Sequence, residues 1–289
     1  MTEAPRLAVV VVSFEAGEAL LAALASLRAH ASIPLRVVVV DNASTDGSVE
    51  AVRRSHPAAL VIANPENVGF ARACNQGWRA SEAPHVLFLN PDAEVGPGAL
   101  EALVRVLEER PDVGAVGPRT RSPDGTIQVS TGPDLTLASE WAQRRLVRGV
   151  ARRDPRAVAE AEARHAREHE PDWVSGACLL VRRAALEAVG GFDERFFLYE
   201  EDADLCRRLR LAGWRVVFTP AAEVRHRLGH SMAKAPRRAR LEYERSHRLY
   251  YRQHNGAFAR GTLRLLLAAR GAAAWLRGRL AGDRGSARP

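Results

Sequence analysis

Leu-Arg-Val-Val-Val-Val-Asp-Asn-Ala-Ser-Thr-Asp-Gly-Ser, residues 35–48, decides the fold of this chain. Four consecutive valines do not alternate with polar residues. A strand here is therefore covered on both faces, which is the pattern of a parallel sheet flanked by helices. The run stops at Asp41 in a turn of small polar residues, and a helix follows over Asp46–Arg54 with Asp46 as its N-cap. The same unit recurs in both directions. Leu7–Ser13 is an apolar run followed by a helical pattern over Ala19–Ala29; Ala59–Ala63 precedes Ala71–Ala80, and His85–Asn90 precedes Ala99–Glu109. This alternation predicts an α/β fold with a mostly parallel central sheet. Ligands of such sheets lie beyond the C-terminal strand ends. There the chain places Asp41-Asn42, Asn64 to Asn67 and Asn90-Pro91-Asp92.

The second half is less regular. Residues 136–170 are Arg/Glu/Ala-rich and broken by Pro155 and Pro171, which predicts an inserted helical pair or a mobile flap. Trp173–Val181 reads as one strand, Ala184–Val189 as a helix ending at Gly190-Gly191, and Arg215–Phe218 and Ala222–His226 as two short strands. Between them, Phe192–Cys206 sets Glu200, Glu201, Asp202 and Asp204 directly after large apolar residues. Leu205, Leu209 and Leu211 place these acids at a helix N-terminus, where they either complement the helix dipole or supply a general base at the edge of a core.

Three other positions carry paired readings. Asp41 either accepts from a nucleobase or ribose hydroxyl or closes an Asx-turn. Pro91 ends the strand before it, leaving Asp92 to share one hard divalent ion with a diphosphate or to sit in an ordinary turn. In His-Arg-Leu-Gly-His-Ser, His226 or His230 either completes a metal or phosphate site or is structural.

Composition limits the function classes. At 289 residues, 46% hydrophobic and 26% charged, the chain can bury a substantial core. Residues 231–289 hold 14 Arg or Lys and 3 acids, a net of +11, whereas the remainder is −3. A basic tail on a near-neutral body points to a polyanionic surface. Charge confined to the tail, with no recognisable binding module, argues against nucleic acid and leaves an anionic membrane surface. Cys74, Cys178 and Cys206 lack metal-ligand spacing and predict buried free thiols in a reducing cytoplasm. The N-terminus reads as a first strand rather than a secretory signal. No apolar run reaches the roughly 18 residues of a bilayer span, so the expected location is cytoplasmic, peripheral on the inner face of the membrane. Val12–Gly17 offers no Gly-rich phosphate loop with a basic residue, which weighs against a nucleotidyltransferase.

Taken together, the segments resemble the inverting family 2 glycosyltransferases, whose nucleotide-sugar-binding fold is called GT-A. The resemblance rests on Val-Val-Val-Ser-Phe (10–14), Val-Val-Val-Asp-Asn-Ala-Ser-Thr-Asp-Gly-Ser (38–48), Asn-Val-Gly-Phe-Ala-Arg-Ala-Cys-Asn-Gln-Gly (67–77) and Leu-Asn-Pro-Asp (89–92). It continues through Ser-Gly-Ala-Cys-Leu-Leu-Val-Arg-Arg (175–183), Gly-Gly-Phe-Asp-Glu-Arg-Phe-Phe (190–197), Glu-Asp-x-Asp-Leu-Cys (201–206) and His-x-x-Gly-x-Ser (226–231). Asn90 stands where many relatives carry a first metal-binding acid; this Asn-Pro-Asp form resembles the rhamnosyltransferase-like branch.

The resemblance implies a GT-A domain over residues 1–231, with the helical insertion at about 136–170, and a basic helical C-terminal extension over 232–289. It implies Ser13, Phe14 and Asp41 around the nucleotide base, Asn67 and Arg72 near ribose or phosphates, and Asn90 beside the donor. Asp92 and His226 would hold Mg²⁺ or Mn²⁺ on the diphosphate. Asp202 would be the catalytic base, with Asp204 and Glu201 as alternatives. The implied donor is dTDP-rhamnose or a UDP-sugar, and the implied acceptor a glycan or polyprenyl-diphosphate-linked hydroxyl in cell-wall or surface polysaccharide synthesis.

Overall fold

A computed structural model describes residues 4–227 and 236–268. His230, Ser231 and the tail beyond Ala268, with Arg270, Trp275, Leu276 and Arg277, lie outside the described residues.

The first half alternates as the valine runs require: β1 (Leu7–Ser13), α1 (Gly17–His30), β2 (Leu35–Asp41), α2 (Ser48–Ser55), β3 (Leu60–Ala63), α3 (Phe70–Arg79) and β4 (His85–Leu89). A three-residue strand β5 (Ala93–Val95) and α4 (Ala99–Glu109) follow, then the long β6 (Val113–Arg121). The insertion holds β7 (Thr131–Gly132), α5 (Leu137–Ala151) and α6 (Pro155–Arg164), so residues 136–170 do form a helical pair. The chain continues with β8 (Trp173–Val174), β9 (Cys178–Arg182), α7 (Arg183–Val189), α8 (Glu201–Leu211) and β10 (Arg215–His226), and α9 (Pro236–His254) packs behind them.

Eight strands form one sheet in the order β3-β2-β1-β4-β9-β6-β10-β5. Six run the same way; β9 is antiparallel to both β4 and β6, and β5 is antiparallel to β10. Both faces are covered, and β1 shows it residue by residue. Ala8, Val10 and Val12 enter the core beneath α3 and α8, while Leu7, Val9 and Val11 enter the core beneath α1 and α4. Each valine so buried contributes about 1.5–3 kcal/mol. Gly77 lets α3 lie close on the sheet, since a Cβ there would meet Val10 Cγ1 at 2.3 Å.

Three elements differ from the sequence expectation. The run 173–181 is two strands in two sheets, broken at Ser175-Gly176-Ala177. The two short strands at 215–226 are one strand whose register to β6 shifts between Thr219 and Glu223. The N-cap of α2 is Gly47, in the left-handed region, while the Asp46 carboxylate accepts from the N–H of Ser48 at 3.1 Å. The C-terminal segment is integrated: Leu249, Tyr250, Tyr251 and Leu263 are buried in the same core as α3 and α8. All three cysteines are free and buried, and burial pushes the Cys178 and Cys206 thiols up to about 12.

Candidate active site

The C-terminal ends of β1 and β2 lie side by side, with Ser13 in register with Asp41. Both are buried, and Ser13 Oγ has no hydrogen-bond partner among the described residues. Phe14, the next residue, is 44% exposed and forms a free apolar wall. Asp41 adopts the turn reading: its oxygens accept from the Ser44 N–H at 2.9 Å and the Ser44 hydroxyl at 2.6 Å. That bond fixes the carboxylate at the strand end without exhausting its lone pairs. Behind it, the Asn64 amide bridges Asn42 and Gln76, and Asn42 donates to Gly69 O. This buried amide network was not anticipated from sequence, yet it ties the β2, β3 and α3 turns into one rim. Asn67 Oδ1 accepts from Gly69 N, whereas Arg72 is exposed and lies 3.8 Å from Glu194.

Asn90, Asp92 and His226 meet where β4 ends and β10 ends. Asp92 Oδ1 is 3.2 Å and Asn90 Nδ2 is 3.3 Å from His226 Nε2. The orientation of the imidazole is set by Gln128, which sequence reasoning missed. The Gln128 amide nitrogen donates to the His226 carbonyl at 2.7 Å, so its Oε1 faces His226 Nδ1 at 3.1 Å. Nδ1 is thereby the donor to Gln128, and Nε2 faces the Asp92 carboxylate and the Asn90 amide nitrogen. An imidazole nitrogen and a carboxylate oxygen 3.2 Å apart are ligand types that fit a divalent ion such as Mg²⁺ or Mn²⁺. Among the described residues no third His, Cys, Asp or Glu joins them, and diphosphate oxygens and water would complete the shell.

The acidic segment reaches the same edge. Tyr199 and Glu200 both have positive φ, 72° and 64°, immediately before α8. Such backbone costs on the order of 1–3 kcal/mol per residue and persists only when neighbours fix it. Here α9 fixes it: Ser246 donates to Leu198 O at 2.8 Å, and His247 Nδ1 meets Glu200 Oε1 at 2.6 Å. Asp202, partly exposed, then accepts from the Gly176 N–H at 2.7 Å and from the Ala203 N–H at 2.8 Å. One residue on, Ala177 O accepts from Asn90 N at 2.9 Å. A continuous path thus runs from Asp202 through Gly176-Ala177 to Asn90, His226 and Asp92.

The three acids separate by environment. Burial raises the Asp202 carboxyl above its ordinary range, against the pull of its two backbone donors. Burial raises Glu201 much further, and its Oε2 has no partner among the described residues. Of the two, Asp202 is the one whose backbone donors favour its charged form. Asp204 is fully buried and spent on Arg208 Nε at 2.8 Å and His254 Nε2 at 2.7 Å. Its role is to pin α9 to α8.

An α/β sheet with this strand-end site has the architecture of the GT-A glycosyltransferases. A mannosyltransferase from Pyrobaculum calidifontis in complex with GDP-Man and Mn²⁺ superposes with a TM-score of 0.56 at 24% identity, over 97% of this chain and 81% of that one. S. aureus TarS 1-349 in complex with UDP-GlcNAc superposes with a TM-score of 0.56 at 18% identity, over 85% and 65%. The model of the glycosyltransferase-like family 2 matches residues 5–244, and this chain belongs to that family. The N-acetylglucosaminyl-diphospho-decaprenol L-rhamnosyltransferase of Mycobacterium tuberculosis is 35% identical over 282 residues, covering 90% of this chain and 89% of its own. Rhamnosyltransferase WbbL of Escherichia coli is 46% identical over 59 residues, 20% of this chain and 22% of its own.

Two substitutions separate structural from chemical roles. Asp204→Ala removes the buried carboxylate shared by the half-buried Arg208 and His254 and is expected to cost about 1–3 kcal/mol, read as a lower urea midpoint; an unchanged midpoint would return Asp204 to the list of candidate bases. Gln128→Ala frees the imidazole to flip and is expected to weaken Mn²⁺-dependent nucleotide-sugar binding about ten- to hundred-fold in calorimetry. Unaltered binding would mean that His226 is oriented by something else.

Proposed function

We propose that this chain transfers rhamnose from dTDP-rhamnose, with inversion, to a hydroxyl of a polyprenyl-diphosphate-linked sugar in cell-wall or surface-glycan synthesis. The observation that carries the reading is the path joining Asp202 to the Asp92–His226 pair, which sets one carboxylate beside a second carboxylate and an imidazole at the strand ends. The rhamnosyltransferase relative that this chain matches over nearly its full length supplies the sugar and the acceptor class.

In this reading Ser13, Phe14 and Asp41 bracket the base, with the unpartnered Ser13 hydroxyl offering a hydrogen bond. Asn67 and Arg72 lie toward the ribose and phosphates, Arg72 by exchanging its Glu194 partner for an anionic oxygen. Asp202 accepts the proton of the acceptor hydroxyl as that oxygen bonds to the anomeric carbon. The bond from the anomeric carbon to the diphosphate breaks on the opposite face, which inverts the configuration. Asp92 and His226 would hold the Mg²⁺ or Mn²⁺ ion, whose chemistry is to neutralise charge on the departing diphosphate. The Gly176 and Ala203 N–H groups each hold one oxygen of Asp202, which aims the carboxylate and leaves a lone pair on each oxygen for the proton.

Asp202→Asn is expected to lower turnover by about three orders of magnitude while donor binding persists. Release of nucleoside diphosphate from dTDP-rhamnose, UDP-sugars and GDP-mannose, with Mn²⁺ or EDTA, reads both donor and metal dependence. Because the base must be ionised and its pKa is raised, wild-type activity should fall on the acid side at a pH above the ordinary Asp value of 3.8. Substantial turnover by Asp202→Asn would move the base to Glu201.

Peripheral attachment to an anionic membrane face belongs to the same reading. Phe258, Leu265 and Leu266 are exposed on the helical segment 257–268 that leads into the basic tail, and no helix of the described residues is long and apolar enough to cross a membrane. Cosedimentation with phosphatidylglycerol vesicles should weaken steeply with salt; indifference to both lipid charge and salt would sink the idea.

A further inference from the structure

α9 has two working faces. Ser246, His247 and His254 hold the acidic segment, as described above, and Tyr250 is buried beside them. Leu241, Arg245, Arg248 and Arg252, at spacings of four, three and four, line the opposite side. The segment 257–268 turns back beside them and adds Arg260, Leu263 and Arg264. Between these helices and the loop through Glu194 and Phe197 lies a groove of ≈ 1140 Å³.

Its electrostatics are one-sided. Arg245, Arg248, Arg252, Arg260 and Arg264 make no side-chain hydrogen bond or ion pair among the described residues. The two acids in the lining are already engaged, Glu194 by Asn75 and by Arg72 and Arg79, Glu244 by Arg240. Guanidinium groups left unpaired around a concavity form an anion site with forked donors suited to phosphate. The floor is different in kind: Leu249 and Leu263 are buried, and Phe197 and Leu241 extend the apolar strip. A free phosphate would leave that strip unused. A flat bilayer surface would not enter the concavity.

We propose that this groove holds the diphosphate and first isoprenoid units of a lipid-linked acceptor, the arginines taking the phosphates and the apolar floor the chain. The proposal rests on the acceptor class given under Proposed function. One wall of the groove continues as the strained segment that leads to Asp202, so one helix would link lipid recognition to the position of the base.

The test titrates farnesyl diphosphate into the full chain by calorimetry, without donor. Wild type should bind. Arg248→Glu/Arg264→Glu, and the milder Arg248→Gln/Arg264→Gln, should each bind about ten-fold or more weakly, with melting temperature and dTDP-rhamnose affinity unchanged. Inorganic pyrophosphate should bind wild type about ten-fold more weakly than the farnesyl ester. No binding by wild type, equal binding by both variants, or equal binding of pyrophosphate would each overturn the proposal. So would variants that lose phosphatidylglycerol vesicles but keep farnesyl diphosphate, which would make this face a membrane contact. No donor takes part in the titration, so it fails independently of the donor panel that tests the transfer reaction.

Discussion

Two short hydrogen bonds converge on Asp202, and the arrangement of the rest of the site depends on the one from Gly176. A carboxylate partly withdrawn from water needs donors to remain charged, and backbone N–H groups supply them without contributing a counter-ion that would quench its basicity. Gly176 can come this near because it lacks a side chain; a Cβ there would lie 3.3 Å from that of Asp202. The contact requires the strand to stop, which splits β8 from β9. Once β9 begins afresh at Cys178, the carbonyl of Ala177 is free to receive Asn90, and Asp92 and His226 are linked through it to Asp202.

Much of this was legible in the sequence, and the failures have physical causes. The valine runs of β1 and β2 could be read because residues buried on two faces leave no polar alternation. Asp92 and His226 were legible as strand-end residues, and the structure brings them together. The break at Gly176 was not legible, because Trp-Val-Ser-Gly-Ala-Cys-Leu-Leu-Val looks like one strand locally and only a partner 26 residues later interrupts it. Gln128 gave no signal at all, since an amide acquires meaning only from the imidazole it meets 98 residues away. The reversed direction of β9 lies equally beyond local pattern.

The C-terminal segment was read as basic and helical, without a buried face assigned to it. Residues 236–254 look like an arginine-rich exposed helix when only aliphatic positions are scored. To the aliphatic Ala239 and Leu249 their buried face adds Ser246, His247, Tyr250 and Tyr251. Such residues cover apolar surface and also satisfy buried polar partners: Tyr251 donates to Glu140 at 2.6 Å, which carries the clamp on to the inserted helix α5. Positive-φ residues tell a related story. Glu15, Ala43, Tyr199 and Glu200 lie at or beside the site, and Arg153 is the remaining non-glycine case among the described residues. Strained turns thus gather where polar groups must be aimed rather than buried.

The reversed strand also dictates an order of events during synthesis. β1 to β4 can pair as soon as they emerge, but the neighbour of β4 in the finished sheet is β9, nearly a hundred residues further along. Until then β4 presents an open edge of His-Val-Leu-Phe-Leu, a segment able to pair with other chains. β6, made earlier, has no place in the sheet before β9 arrives between them. At translation speeds of about 5–20 residues per second, that edge stays open for several seconds at least. Closing it takes the same strand that starts beside Gly176, and only afterwards do α8 and β10 bring Asp202 and His226 to complete the candidate site.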